Sequence, residues 1–403
     1  MGLTSGAGIL LSLIASGQAQ SRSALIEVSG LSRSTVTERL ATLFEAGFIL
    51  EGEQSKPSGG RPTNMLQINQ SFGVVLVSDV GETHVHSAVT DLEPGLLVET
   101  TDPIDIGDGP QAILAVIARQ YWKLLKRLKR AKEDVLGICL GLPAPVDHLT
   151  GRVFGPSVLA GWDDFAVGAF LAAEFDAPTL IENDVNLMTL SEARRFWPDV
   201  DQLLFIKAGT GIGSGIVTDR RLYRGAQGVA GDIGHIQFST TNAPLCRCGK
   251  LGCVEARAGG WAIARDLRAR GFEAKDARDV VDLVRKNRPE AINLVREAGR
   301  VLGEVAADVV SLLNPSVIVI GGTLIAVEEY LLAGVRELVY QRCLPLATRT
   351  LQIAPARSDL RTGLLLGAAQ LVIEARMQPA AIEQTLERHR KGAAATRPQR
   401  ARQ

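Results

Sequence analysis

The sequence predicts an α/β protein in two parts, a small winged helix-turn-helix followed by a larger α/β body. Three observations predict it. Residues 1–70 carry three short helical patterns and then a pair of strand-like runs. From residue 73 apolar runs of strand length alternate with helical segments, the pattern of an α/β domain. Glycine-rich turns follow several of those runs, where open α/β sheets place their ligands.

The first helical pattern covers about Gly6–Gly17, with Ile9, Leu10, Leu13 and Ile14 on one face. No Lys or Arg precedes it and its apolar core is short, so it reads as a helix and not as a signal peptide. The second spans Ser21–Val28 and the third Ser32–Ala46, each opened by a serine that can cap it. Ser29-Gly30-Leu31-Ser32 joins them as a helix-turn-helix turn. In the third helix Val36, Leu40, Leu43 and Phe44 form the apolar stripe. That leaves Arg33, Ser34, Thr35, Thr37, Glu38 and Arg39 facing outward, as in a helix that enters a major groove by its early residues. Phe48–Leu50 and Met65–Ile68 read as strands flanking a tip, Gln54–Pro62, whose Lys56 and Arg61 would sit on a wing. The expected DNA contacts are therefore Arg33, Ser34, Thr35, Thr37, Arg39, Lys56 and Arg61, on double-stranded operator DNA.

Composition bounds the rest. The chain has 403 residues, 46% hydrophobic and 22% charged, with a formal net charge of zero. Such a molecule is not a polyanion binder over its whole surface, so nucleic-acid contact must be local. No apolar run reaches the roughly 18 residues a membrane span needs, and a cytoplasmic protein is expected. Of five cysteines, three crowd into Cys246–Cys253, which suits metal binding in a reducing compartment better than a disulfide scaffold.

In the body, strands are expected at Gly73–Val80, Val85–Asp91, Val135–Leu140, Thr179–Ile181, Leu203–Lys207, Gly215–Val217 and Val317–Ile320. A helix is expected over Pro110–Lys132, whose basic face reads as solvated surface. The tail Arg388–Gln403 holds six Lys/Arg and no acid, and reads as disordered.

Four motifs carry chemistry. Asp79-Val80-Gly81-Glu82-Thr83 puts a carboxylate, a glycine turn and a hydroxyl at a strand end, a pattern that can hold phosphates and Mg²⁺. Gly209-Thr210-Gly211-Ile212-Gly213-Ser214-Gly215 is a second glycine loop, suited either to close phosphate approach or to a β-hairpin turn. Asn183-Asp184 follows a strand and suits polyol binding, with a carboxylate as general base, or the capping of the next helix. His235 with Cys246, Cys248 and Cys253 makes a complete four-ligand set for a structural zinc ion.

With the Gly231–His235 stretch (GDIGH), the Cys246–Glu255 stretch (CRCGKLGCVE) and Asn314-Pro315 before Gly321-Gly322, these motifs fall in order. Together they resemble the ROK family of repressors, uncharacterised reading frames and sugar kinases, most closely its transcriptional-regulator branch. The resemblance runs from the winged helix to about residue 375. It implies an actin/hexokinase-like (ribonuclease H-like) domain of two α/β lobes around a cleft: lobe 1 over 71–185, with a helix at about 362–378 returning to it, and lobe 2 over 186–361.

The resemblance also implies roles. Asn183, Asp184, Asp232, His235 and Glu255 would contact a sugar, with Asp184 the base in a kinase member. Asp79, Gly81, Thr83, Gly209, Thr210, Gly211, Gly213, Gly321 and Gly322 would form the nucleotide half. His235, Cys246, Cys248 and Cys253 would hold zinc, fixing His235 and Glu255 for the sugar. The chain departs from the kinase pattern at Glu82, which replaces a glycine of the first phosphate loop; its charge opposes the ATP phosphates and its side chain blocks close backbone approach. His84 takes the later polar position, Ser214 replaces a glycine, Asp232 a glutamate, and Pro156-Ser157 a Pro-Asn pair. The expectation is a sugar-responsive DNA-binding regulator, a repressor acting as a homodimer or homotetramer; the alternative is an ATP-dependent sugar kinase with an added DNA-binding domain.

Overall fold

The computed structural model describes the backbone of residues 7–54, 64–148, 150–154, 159, 161–238, 241–359 and 361–395. Its first part has three helices, α1 (Ala7–Ala15), α2 (Arg22–Ser29) and α3 (Arg33–Glu45), then the antiparallel strands β1 (Ile49–Gln54) and β2 (Asn64–Ile68). Each serine cap forms as the sequence predicts. Ser21 Oγ accepts from the Ala24 amide at 3.2 Å, and Ser32 Oγ from the Thr35 amide at 3.2 Å. Gly30 ends α2 at φ 67°, a left-handed conformation that favours glycine, and this aims α3 across α2. Val36, Leu40 and Leu43 are buried with Leu10, Leu11, Ile14 and Leu66. Each contributes roughly 1.5–3 kcal/mol by leaving water, which fixes α3 by its apolar stripe and leaves its polar half outside.

The body holds two five-stranded sheets with the same strand order. Lobe 1 comprises β3 (Val74–Val80), β4 (His84–Thr90), β5 (Leu96–Pro103), helix α4 (Pro110–Leu128) and β6 (Val135–Leu142). It continues through a two-residue ladder, β7 (Val146–Asp147) with β8 (Arg152–Val153), to α5 (Val167–Phe175) and β9 (Thr179–Asn183), in sheet order β5-β4-β3-β6-β9. Helix α6 (Asp184–Phe196) leads on to β10 (Leu203–Ala208), β11 (Ile212–Thr218) and β12 (Arg221–Tyr223). Helices α7 (Glu255–Ala258), α8 (Gly260–Arg268), α9 (Ala277–Arg285) and α10 (Pro289–Leu313) precede β13 (Val317–Gly321). Then come α11 (Glu328–Arg342), α12 (Pro345–Thr348), β14 (Gln352–Pro355), α13 (Gly363–Arg376) and α14 (Pro379–Ala395). Lobe 2's sheet runs β12-β11-β10-β13-β14. In both sheets an antiparallel meander occupies one side and parallel crossover strands the other.

Helices α6 and α13 cross between the sheets at close range. A Cβ on Gly367 of α13 would lie 1.9 Å from the Leu187 carbonyl oxygen of α6. On the other side of α6, Gly213 and Gly215 of β11 admit Val185 and Thr189. These contacts fix the start of α6, where Asn183 and Asp184 stand.

The structure departs from the sequence reading in four places. Ile212–Gly215 belong to strand β11, so only 209–211 form a turn, and Gly213 and Gly215 serve packing against α6. The domain boundary at 185/186 falls inside the first turn of α6, a continuous helix that joins the lobes. Helix α4 stops at Leu128, with Lys129 left-handed at φ 54°. Residues 388–395, read as disordered, continue helix α14. The cause lies upstream: Ile382 and Leu386 are buried in the core that holds α1, and that anchor carries the helix on.

Strands β5 and β14 escaped the sequence reading. Both are edge strands, β5 of eight residues and β14 of four, with mixed burial and no clean apolar run. Among the described residues no helix is long and apolar enough to cross a membrane.

Candidate functional site

The cleft is built where both sheets present their carboxyl ends. Asn183 and Asp184 end β9 and open α6. The Asn183 side chain caps that helix: Oδ1 accepts from the Val185 and Asn186 amides at 3.0 and 3.2 Å, and Nδ2 donates to the Ala144 carbonyl at 3.2 Å. Of the two readings of this residue, the cap is the one the geometry shows. Asp184 is nearly buried; Oδ1 accepts from the Val185 amide at 2.8 Å, and Oδ2 accepts from Lys207 Nζ at 2.5 Å.

Lys207 comes from β10 in the other lobe. Burial opposes its charge, but Asp184, Asp79 and Glu255 outweigh burial and raise its pKa above the ordinary lysine value. Asp79, on β3, has its pKa pushed up to about 6, first by burial and then by the charge of Asp184, against the opposing pull of Lys207 and His86. Asp79, Asp184, Lys207 and Glu255 thus converge from both lobes.

Glu255 opens α7. Its Oε2 accepts from the Ile212 amide at 3.1 Å and its Oε1 from Trp261 Nε1 at 3.0 Å. A Cβ on Gly211 would sit 2.5 Å from Glu255 Oε2, so a side chain there would have to displace that carboxylate. Gly322 (φ 90°) turns against the Ala208 backbone, and a Cβ on Gly209 would lie 3.8 Å from the Thr323 amide nitrogen. The Gly209–Gly211 and Gly321–Gly322 turns are therefore neighbours, while Thr210 and Thr83 are exposed.

Glu82 has a partner across the cleft. Arg247, on the cysteine loop of lobe 2, lies 3.5 Å from Glu82 Oε1 and 3.5 Å from Glu255 Oε1, with its guanidinium 5.5 Å from the Trp261 ring centroid. The Glu82 contact is half-exposed, so it contributes no more than about 1 kcal/mol and chiefly orients the loops. A third ion pair between the lobes is buried at its Glu182 end: Arg224 Nε donates to Glu182 Oε2 at 2.6 Å, and Glu182 Oε1 accepts from Asn186 Nδ2 at 2.9 Å.

The metal set closes as its spacing predicts. The candidate donor atoms of His235, Cys246, Cys248 and Cys253 all lie within 4.8 Å of one another. Cys248 Sγ and Cys253 Sγ are 3.7 Å apart, and Cys246 Sγ is 3.7 Å from His235 Nδ1. Zinc–sulfur bonds of about 2.3 Å in a tetrahedron require sulfurs about 3.8 Å apart, so the donors fit zinc. Left-handed Gly249 (φ 87°) and Gly252 (φ 76°) fold the loop around the donors. All four positions are filled by protein, so a zinc ion here would hold His235 and the start of α7 and perform no chemistry. Asp232 is exposed beside this loop.

On the winged helix, Arg33, Ser34, Thr37 and Glu38 are exposed, and Thr35 and Arg39 half-buried. The Thr35 hydroxyl lies 2.8 Å from Ser32 Oγ, and the Thr37 hydroxyl donates to the Arg33 carbonyl at 2.8 Å. That leaves the arginines as the free reach of this face. Lys56, Arg61 and the Pro156-Ser157 pair lie outside the described residues.

Sequence reasoning missed Lys207, Arg224, Arg247 and Trp261. For Lys207 a signal existed: a lone charge near the end of the apolar strand LLFIKA, just before a glycine turn.

Comparison with known proteins agrees with this architecture. The chain is 27% identical over 368 residues to the xylose repressor of Bacillus spizizenii, covering 91% of this chain and 94% of that protein. It is 24% identical to the N-acetylglucosamine repressor of Escherichia coli over 380 residues, 91% of this chain and 92% of that protein. It is 31% identical to a glucokinase of Halalkalibacterium halodurans over 274 residues, 64% of this chain and 83% of that protein. In fold it matches a ROK family transcriptional regulator, a homologue of the E. coli MLC protein, with TM-score 0.82 and 24% identity over 95% of this chain and 99% of that one. It matches the Thermus thermophilus ROK hexokinase with TM-score 0.62 and 28% identity over 75% of this chain and 99% of that one. The ROK family model matches residues 75–375, and the chain belongs to the ROK family.

Proposed function

We propose that this protein is a sugar-responsive, DNA-binding transcriptional regulator, a repressor whose kinase-like cleft senses a sugar. One observation carries the reading: the helix that closes the body is docked on the winged helix. The Gly8 amide donates to Glu383 Oε1 at 3.1 Å, and a Cβ on Gly8 would lie 2.5 Å from the Pro379 carbonyl oxygen. Helix α14 follows α13, and α13 packs on α6, which begins at Asp184. A ligand that favours one arrangement of the lobes therefore has a packed route to α1 and the exposed face of α3. The two repressor relatives span 91% of this chain, whereas the glucokinase relative spans 64%.

The sugar site we assign comprises Asp184, Asp232, His235 and Glu255, with Asn183 holding the start of α6. The zinc set positions His235 and Glu255. Arg33 and Arg39 contact the operator, with Ser34, Thr35 and Thr37 along the same face and Lys56 and Arg61 on the wing. The nucleotide half (Asp79, Gly81, Thr83, Gly209, Thr210, Gly211, Gly213, Gly321 and Gly322) does not bind ATP. The working form is a cytoplasmic homodimer or homotetramer. In support, Leu312, Leu344 and Leu346 are each more than three-quarters exposed near the C-terminal ends of α10 and α11, large apolar side chains that a subunit interface would cover.

The test is fluorescence anisotropy of the full chain on duplexes selected from a random-sequence pool, titrated with a panel of aldoses and amino sugars. One sugar is expected to release the DNA. Sugar-dependent ATP turnover without any DNA selection would establish the kinase alternative instead. Arg33→Ala is expected to weaken DNA binding by about 1–3 kcal/mol, the scale of a base-edge contact, with the melting temperature unchanged. Gly8→Val is expected to open the α1–α14 dock and leave DNA binding largely insensitive to the sugar; a full sugar response in that variant would remove α14 from the route.

A further inference from the structure

Lys207 is a charged side chain in the phosphoryl half of the cleft that the sugar-sensing reading leaves without a role. It stands on lobe 2, yet its ammonium reaches the carboxylates of lobe 1, 2.5 Å from Asp184 Oδ2. Asp79 on β3 is in register with Gly141 of β6, which is in register with Glu182 of β9, so Asp79 and Asp184 share one end of the sheet, and their charges and that of Glu255 all act on Lys207. Two carboxylates at strand ends beside a glycine turn are what a hard divalent ion uses, with nucleotide phosphates completing its shell. Here a protein cation already balances them.

The surrounding donors are spent in the same sense. The Ile212 amide, an N–H of the β10–β11 hairpin, is held by Glu255 Oε2 at 3.1 Å. The mouth carries Glu82, whose charge faces Arg247 and not an open phosphate pocket. The Asp184 oxygen that would take a hydroxyl proton is held by the lysine, and its other oxygen by the Val185 amide.

We propose that Lys207 is a resident cation: its ammonium, paired with Asp184 at the end of the sheet that also carries Asp79, supplies the positive charge that a divalent metal would otherwise bring, so the cleft binds its sugar without metal or nucleotide. This rests on the cleft being a sugar sensor and names the residue that frees the sensor from ATP. It also assigns Lys207 a positioning role, since it holds Asp184 in one place for a sugar hydroxyl and keeps it from serving as a base.

The probe is Mn²⁺, followed by electron paramagnetic resonance on the zinc-replete full chain. Wild type is expected to show no Mn²⁺ site that depends on Asp79. Lys207→Met is expected to gain one, at least about tenfold tighter than any wild-type binding, and Asp79→Asn in that background should abolish it. Lys207→Arg keeps the charge and should behave as wild type. If Lys207→Met does not fold, Lys207→Gln keeps a donor to Asp184, removes the charge, and should gain the same site. An Asp79-dependent Mn²⁺ site in wild type, or a folded charge-removal variant that gains none, overturns the proposal. In wild type, sugar affinity should change by less than about twofold on adding Mg-ATP; a larger strengthening overturns it too. None of these measurements uses DNA, so they can fail while sugar-driven DNA release stands.

Discussion

Cys253→Ser is expected to yield a chain with less than one zinc per molecule and a lowered melting temperature. Cys253 is fully buried at the point where the metal loop meets α7. Serine supplies a poor zinc ligand and leaves two thiols and an imidazole around the gap. Structural zinc contributes folding free energy directly, so the loss should be on the order of several kcal/mol. The damage should also travel. Val254 and Ala256 are buried beside the ligand, and Glu255, between them, holds the Ile212 amide and Trp261. Sugar affinity should therefore fall with the metal, although serine at 253 is not itself a sugar contact. Metal analysis with a thermal melt checks this. A metal-free variant with wild-type stability and sugar affinity would remove zinc from the account.

Gly367→Ala is expected to be the most damaging single-methyl change in the molecule. In a helix, Gly→Ala normally stabilises by up to about 1 kcal/mol because alanine loses less backbone entropy. At Gly367 the added carbon would lie 1.9 Å from the Leu187 carbonyl oxygen, a backbone atom that no rotamer change can move aside. Helices α13 and α6 would have to separate, and overpacking of that kind costs about 1–3 kcal/mol or more. Because α6 carries Asn183 and Asp184, sugar binding should weaken in parallel. Gly168→Ala in α5 is the control: its nearest neighbour would be at 3.5 Å, an ordinary contact, so stability should hold or rise. A Gly367→Ala chain that melts with wild type would show that the α6–α13 crossing yields easily, and would weaken the proposed route from cleft to winged helix.

What could be read in the sequence is what local chemistry specifies. Ser21, Gly30 and Ser32 determine where two helices begin and how they turn, because capping acts over three or four residues. The candidate metal set was legible because three of its four donors lie within one short loop and thiols have few alternative uses together. The glycine turns were visible as turns, but the same glycines were ambiguous between cradling a phosphate and admitting a neighbouring helix. Only packing separates the two: Gly213 and Gly215 face α6, and Gly211 makes room for Glu255.

The tertiary structure alone decided the charges of the cleft and the route out of it. Lys207 and Asp184 belong to different lobes, as do Arg247 and Glu82 and also Arg224 and Glu182. The Gly8–Glu383 contact spans 375 positions. A charge along the chain carries no mark of its partner, because Coulomb energy depends on distance in space and on burial. Glu82 alone reads as a lesion in a phosphate loop; folded, it pairs with an arginine across the cleft. The basic end of α14 reads as disordered by composition, yet Ile382 and Leu386 bury against the winged-helix core. The physical reason is the same in each case: periodicity and capping are written within one turn of chain, while charge pairing and helix docking exist only once distant segments meet.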